Sequence, residues 1–315
     1  MIDVLAFGEV LWDVIDGVPH LGGAPFNLAA HAAKCGLRAA IVSAVGCDDL
    51  GRRAVAEARR LGVLTDFIAE HPTLPTGTVN VTLDTRGVPS YEIVKPVAWD
   101  EIDCGALGER ALPVGADRRA ARDLDCLFVN KDASPRAFCF GTLAQRSPVS
   151  AATLADLLAS LPDSTLVFFD VNLRQNFWSR ELVERGLART DILKVNDEEM
   201  RVLGFRPAAL FARFPRLSTI VETRGADGCA VWWRGDGGAS PPGEPQRLGG
   251  DASPYFTSPA LPDGPVVDTV GAGDAFSAAF LAAVLRGESL QFAAETGNRL
   301  AGRVAARPGA IPQDL

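Results

Sequence analysis

The chain is poor in the residues that build metal centres and disulfide frameworks. Of its 315 residues only three are histidines, His20, His31 and His71, and they form no cluster. His31 falls in a helix-like stretch and reads as packing. Six cysteines, Cys35, Cys47, Cys104, Cys126, Cys139 and Cys229, are scattered through apolar stretches with no C-x-x-C pair and no histidine at metal spacing. This speaks against a zinc site or a His-based triad, and for buried free thiols in a reducing cytoplasm. There is no long basic run, and the net charge is −8. Nucleic acid and anionic membrane both need clustered Lys and Arg, so neither is expected as a partner. A nucleotide is still compatible, because backbone amides and a metal can hold it. From Met1 the chain runs straight into a strand-like Val4–Gly8, with no basic leader and no apolar stretch long enough for a signal or membrane helix. Common phosphate motifs are missing too: no G-x-x-x-x-G-K-[ST], no G-x-G-x-x-G after the first strand, and no H-R-D or D-F-G.

What is present is ordinary globular composition, 47% apolar and 22% charged, which excludes a disordered chain. Short apolar runs alternate with amphipathic stretches. Strands are expected at Val4–Gly8, Ala39–Val45, Cys126–Val129, Leu166–Asp170, Ile192–Val195, Thr219–Glu222 and Cys229–Trp233. Helices are expected at Pro25–Cys35, Asp49–Leu61, Ser150–Leu161, Arg180–Ala188 and Asp197–Leu203. Runs such as Leu166-Val167-Phe168-Phe169 do not alternate, as befits strands covered on both faces. The pattern predicts a parallel sheet sandwiched by helices. Leu11–Leu21 and Pro75–Val97 instead alternate, the second with a turn at Arg86-Gly87; they read as a one-faced β excursion suited to a lid, or as an ordinary edge hairpin. Arg234–Pro265, rich in Gly and Pro, reads as a long surface loop.

The sharpest feature is Asp268-Thr269-Val270-Gly271-Ala272-Gly273-Asp274-Ala275-Phe276. It follows a strand-like Pro265-Val266-Val267 and opens a helix, Ala275–Leu285, of small and apolar residues. Glycines at a strand-to-helix turn bring N–H groups close to a ligand, and the helix N-terminus adds positive potential. Asp274 beside such an anion site is either an N-cap or a general base, and the two roles are compatible.

These residues resemble the C-terminal signature of the ribokinase-like (PfkB) carbohydrate kinase family. Gly22-Gly23-Ala24-Pro25-Phe26-Asn27-Leu28-Ala29, with Gly36 and Gly46 downstream, resembles its N-terminal signature. Two motifs in the right order at opposite ends of the chain are far more specific than either alone. The resemblance implies a three-layer α/β/α sandwich: a core from residues 1–10, 22–72 and 101–315, and a small β-sheet lid from 11–21 and 73–100. It implies Asp274 as catalytic base with an anion hole at Gly271, Ala272 and Gly273. It implies sugar contacts from Asp13, Gly22, Gly23, Asn27 and Arg174. Taken alone, Asp13 is an acid in a strand and Asn27 a polar residue at a helix start. Asn196 and Glu199 match the family's N-x-x-E, which organises magnesium-bound water and phosphate; Thr223, Gly225 and Gly228 match its nucleotide turn, and Asn298 the flank of the adenine. Asp268 and Gly309 fall where some members bind a monovalent cation.

The activity so implied is transfer of the ATP γ-phosphoryl group to a sugar hydroxyl, with Mg²⁺ and, in some members, K⁺. Pro75-Thr76-Gly77-Thr78 and Asp170-Val171-Asn172-Leu173-Arg174 are similar to stretches of fructokinase-type members, which puts fructose first, 2-keto-3-deoxygluconate second and ribose or a nucleoside third. In Asp170, Asn172 and Arg174 the polar side chains are expected to share one face of an extended segment. A non-catalytic sugar or nucleotide sensor on the same scaffold is the reading from another class. A homodimer clasped through the lid is expected as the assembly.

Overall fold

The computed structural model describes residues 1–15, 17–83, 89–103, 134–235 and 255–315. The expected strand at Cys126–Val129, the turn at Arg86-Gly87 and most of the Gly/Pro-rich stretch lie outside them.

Thirteen described strands form two sheets. β1 (Val4–Phe7), β4 (Ala39–Gly46), β5 (Ile68–His71), β8 (Ala137–Phe140), β9 (Leu166–Asp170), β10 (Ile192–Asn196), β11 (Thr219–Thr223), β12 (Cys229–Trp233) and β13 (Phe256–Ser258) make the larger. Its order is β13-β12-β11-β10-β9-β8-β1-β4-β5. β5 to β11 are joined in parallel, whereas β12 runs antiparallel to both neighbours. The sheet is therefore mixed rather than purely parallel. The reversed strand is the penultimate one, next to the edge strand β13, and large doubly wound sheets commonly carry such an antiparallel pairing near one side. β2 (Leu11–Ile15), β3 (Val18–Gly22), β6 (Gly77–Leu83) and β7 (Pro89–Ile93) form the second sheet, in the order β3-β2-β6-β7.

Eight α-helices are described: α1 (Ala24–Lys34), α2 (Asp49–Arg60), α3 (Pro148–Ser160), α4 (Arg180–Leu187), α5 (Asp197–Leu203), α6 (Pro207–Arg213), α7 (Ala272–Leu285) and α8 (Leu290–Ala305). Alternate residues of the central strands feed two cores. Leu5, Phe7, Phe138 and Phe140 pack towards α3–α6, and Val4, Ala6, Ala137 and Cys139 towards α1, α2, α7 and α8. The result is a three-layer α/β/α sandwich. Every residue of β4 is buried, as strands covered on both faces require. α7 is apolar nearly all round because it is enclosed by α1, α8 and the sheet. Local signals work as expected: Pro25 lies in the first turn of α1, and Asp48 caps α2 by accepting from Gly51 N (2.7 Å).

Three local expectations need correction. Pro265-Val266-Val267 is not a strand but exposed coil leading to α7. Phe256–Ser258, inside the presumed surface loop, pairs with β12 as an edge strand. Asp170–Arg174 is not extended: Asn172 and Gln175 have φ of 46° and 48°, so the chain coils back at the end of β9 and its polar residues leave one shared face.

The smaller sheet is tied to the core by Arg146. Its guanidinium donates to Asp100 (2.7 and 2.8 Å) and to Val94 O (2.7 Å), and stacks over Trp99 at 3.9 Å. Both partners of this ion pair are buried. Removing one member of a buried pair strands the other's charge, so Arg146→Met is expected to lose about 3–5 kcal/mol of stability. Urea unfolding followed by circular dichroism measures it; a loss under about 1 kcal/mol is the value expected of an exposed pair.

Candidate active site

In the larger sheet β1 and β8 are neighbours, yet the chain leaves β1 towards β4 and β5 and leaves β8 towards β9–β11. Such a switch point opens a crevice at the carboxyl ends of the strands, where open α/β sheets hold ligands. Polar residues gather there, the candidates Asn196 ending β10 and Thr223 ending β11 among them, together with Glu9 just beyond β1, Asp170 ending β9 and Lys194 in β10.

The centre is Asp274 in the first turn of α7. α7 starts one turn earlier than expected, at Ala272, with Gly271 as its N-cap and no side-chain cap. Asp274 is thus not an N-cap. Its carboxylate instead accepts from Asn27 Nδ2 on α1 at 2.8 Å, across 247 residues of sequence. Burial, then the nearby Asp170 carboxylate, pushes the Asp274 pKa up to about 6; Asn27, Lys194 and Arg174 pull the other way. Gly271 adopts φ 76°, and a Cβ there would lie 2.6 Å from Ala310, so the turn Arg307–Ala310 backs directly onto the first turn of α7. Of the three amides expected in the anion hole, that of Ala272 already donates to Thr269 O (3.2 Å).

The Gly22-Gly23 segment lies close by. A Cβ on Gly22 would sit 2.6 Å from Asp13 Oδ2, and Gly23, at φ 110°, passes so close to Glu9 O that a Cβ would come within 2.3 Å. Asp13 is raised to about 6 by burial, with Arg174 and its cross-strand partner His20 acting against the rise. Glu9 is more deeply buried and is raised to about 7. Arg174 is the cation that acts on Glu9, Asp13 and Asp274 alike. Its own hydrogen bond is a long one to Leu173 O, 3.4 Å. Thr76 and Gly77 are taken up by the scaffold: Thr76 gives its hydroxyl to Asp48 (2.6 Å), and Gly77 packs against the Trp99 ring.

On the other side of Asp274, Asn196 caps α5 by accepting from Glu199 N (2.7 Å), while Glu199 accepts from Asn196 N and Leu173 N (both 2.8 Å). Glu199 is buried and raised by that burial, with Lys194 opposing. With both oxygens holding backbone N–H groups, Glu199 fixes the coil that presents Arg174. Thr223 Oγ1 is 3.4 Å from Val195 O, and Gly225 opens a 3₁₀ turn. Gly228 lies under Ser258–Ala260, where a Cβ would come 2.0 Å from Ser258 O. Asn298 is buried and donates through Nδ2 to Ser258 and Pro259. Asp268 accepts from Val270 N and Gly309 N, each at 3.0 Å. Among the described residues no group of three or more His, Cys, Asp or Glu could hold a metal.

Lys194 and His31 escape a reading by motif. Lys194 is buried and donates to Asp170 (3.0 Å), which also accepts from Ser277 Oγ (2.9 Å). Burial alone would lower its pKa, but Asp170, Glu199 and Asp274 outweigh that and raise it. A single cation inside Ile-Leu-Lys-Val was the available signal, since an unpaired buried lysine is costly. His31, fully buried on α1 one turn after Asn27, faces Ala310 O at 2.8 Å, so Nε2 carries the proton. Burial takes its pKa down to about 4.

Comparison with known proteins identifies the family. Residues 2–100 and 120–314 match the model of the pfkB family carbohydrate kinases, and the chain belongs to that family. PH1459 of Pyrococcus horikoshii, described as an uncharacterized sugar kinase, is 26% identical over 293 residues, 91% of this chain and 80% of its own. Its crystal structure in complex with ATP superposes with a TM-score of 0.74 over 98% of this chain and 94% of that one, at 22% identity. A fructokinase of Vibrio alginolyticus is 26% identical over 279 residues, 84% of this chain and 76% of its own. Fructokinase with bound ATP from Xylella fastidiosa gives a TM-score of 0.76 at 21% identity, covering 98% and 94% of the two chains. The protein is a carbohydrate kinase of the pfkB family.

A raised carboxyl pKa has a signed consequence. Unfolded, Asp274 loses its proton near 3.8; folded, near 6. Its ionisation therefore costs stability as pH rises from about 4 to 6, and the full cost persists above 6. Asn in its place keeps the acceptor for Asn27 and removes the charge. Asp274→Asn is expected to melt above the wild type at pH 8, with the difference shrinking towards pH 4. A pH series of melting temperatures checks this, and a difference that grows on acidification contradicts it.

Proposed function

We propose that the chain is an ATP-dependent sugar kinase with Asp274 as general base and fructose as its first-choice acceptor. The observation that carries the reading is the Asn27–Asp274 hydrogen bond, which brings the early Gly-Gly segment and the late Gly-Ala-Gly segment into one cleft. Asp274 removes the proton from the attacking hydroxyl as its oxygen bonds to the γ-phosphorus, the bond to the bridging oxygen breaks, and ADP leaves. With a pKa of about 6 this carboxylate is ionised at neutral pH yet more basic than an ordinary one, as a general base should be. Such a base contributes about 10²–10⁴-fold. Amides of Gly271 and Gly273 receive charge on the transferred group, each donor worth about 10²–10³-fold, while that of Ala272 is shared with Thr269 O.

In this reading Asp13, Gly22, Gly23 and Asn27 hold the sugar, and Arg174 orients it. Thr223, Gly225, Gly228 and Asn298 shape the nucleotide side. Mg²⁺ would supply charge neutralisation to the phosphates, and Asn196 and Glu199 would hold it, Glu199 already having both oxygens engaged by backbone N–H groups. Asp268 and the Gly309 turn would hold a monovalent cation. The four-stranded sheet acts as the lid, excluding water as a competing acceptor, and its edge offers a surface for dimer pairing. Free thiols at Cys35, Cys47, Cys139 and Cys229 suit a reducing, cytoplasmic setting.

The second reading is a 2-keto-3-deoxygluconate kinase: Arg174, an exposed guanidinium facing the acidic cluster, suits a substrate carboxylate as well as a sugar, and does not by itself choose between the two. A coupled ADP-release assay with fructose, 2-keto-3-deoxygluconate, ribose, tagatose and adenosine separates these. Turnover with none of them favours the sensor reading.

Three outcomes are expected of the active enzyme. Asp274→Asn abolishes turnover and leaves ATP binding by calorimetry largely intact, whereas equal loss of both removes the base assignment. The wild-type kcat/KM rises with pH through about 6 and then levels, as the Asp274 carboxyl gives up its proton. Asp13→Ala raises the sugar KM sharply; unchanged sugar kinetics take Asp13 out of the site.

A further inference from the structure

A cavity of about 770 Å³ lies outside the catalytic cleft, between the edge strand β3, helix α2 and the turn Arg307–Asp314. Its lining includes none of Asp13, Gly22, Gly23, Asn27, Arg174 or Asp274. One wall is apolar, from Pro19, Leu21, Leu61, Pro308, Ile311 and Pro312. Three guanidinium groups, Arg53, Arg60 and Arg307, face two carboxylates, Glu57 and Asp314, which leaves one positive charge on the lining in a chain whose net charge is −8.

The excess charge has an address. Arg60 is engaged by Glu57 (2.6 Å), and Arg307 by Asp314 (2.8 Å) and Asp263 (3.0 Å). Arg53 has no acidic partner among the described residues; it lies 4.9 Å from the centre of the Trp12 ring, which is itself fixed by a hydrogen bond to Leu50 O (3.0 Å). A guanidinium held by stacking keeps its donor fork open, and that fork matches phosphate oxygens. The volume falls within the range of metabolite pockets.

We propose that this cavity is a second small-molecule site, binding a metabolite that carries one phosphate monoester on a ring body. The phosphate sits on Arg53 and the ring lies along the proline-rich wall. A nucleoside monophosphate and a sugar phosphate share this chemistry. Gly309 and Ala310 belong to the same lining, and Ala310 backs Gly271. An occupant therefore bears on the turn behind the first turn of α7, which makes the site regulatory in character.

Isothermal titration of the intact chain with AMP, glucose 6-phosphate and inorganic phosphate tests this. One ring-bearing probe is expected to saturate at about 1 mM or below, and inorganic phosphate to bind at least about tenfold more weakly. Arg53→Gln, on the exposed face of α2, and Ala56→Trp, which fills the cavity without touching its charge, are each expected to weaken that probe at least about tenfold. Neither changes turnover in the absence of probe. The proposal is overturned if no probe saturates, if phosphate alone binds as well as the ring-bearing probes, or if affinity survives Arg53→Gln. That last result would place the bound probe in the catalytic cleft.

Discussion

The site depends on keeping several carboxylates charged, or nearly so, where water is scarce. Asp274, Glu9 and Asp13 all resist ionisation because they are buried, and Asp170 adds its own repulsion to Asp274. Lys194 and Arg174 make the cluster tolerable from opposite sides, one locked to Asp170 beneath the first turn of α7 and one held out on a coil. Their roles differ accordingly. The buried lysine is committed to its partner, and the exposed arginine is left available to whatever enters the cleft.

Much of the surrounding architecture serves to fix these charges. Glu199 belongs by motif to a pair that organises magnesium-bound water, but spends both oxygens on the backbone, capping α5 and holding Leu173. That hold settles the left-handed coil at Asn172 and so the direction of Arg174. His31 joins α1 to Ala310, which packs behind Gly271, so the helix that positions Asn27 is braced against the turn behind the start of α7. The two halves of the site are thus referenced to each other twice, through Asn27–Asp274 and through His31–Ala310.

Sequence reading recovered most helices and the strands with continuous apolar runs, because burial on both faces leaves a signature in composition alone. It missed short strands such as Ile68–His71 and Phe256–Ser258, whose pairing is decided by neighbours distant in the chain. The convergence of the two glycine segments was legible only through family resemblance; no local pattern says that Asn27 meets Asp274. Thr76 shows the opposite hazard. It belongs to a stretch that resembles fructokinases, yet its hydroxyl is committed to Asp48, so likeness there reports on the scaffold as much as on the sugar. Lys194 was passed over because a lysine in a strand reads as an interruption until its partner is seen.

The distance between Asn27 and Asp274 along the chain also governs when the cleft can exist. Translation at about 5–20 residues per second separates the emergence of the two side chains by roughly 10–50 s. Throughout that interval the ribosome carries a chain with its Gly-Gly segment and no carboxylate to receive Asn27. A polypeptide released before residue 274 has no α7 to pack against α1, so the two glycine segments are brought together only once nearly nine-tenths of the chain has been made.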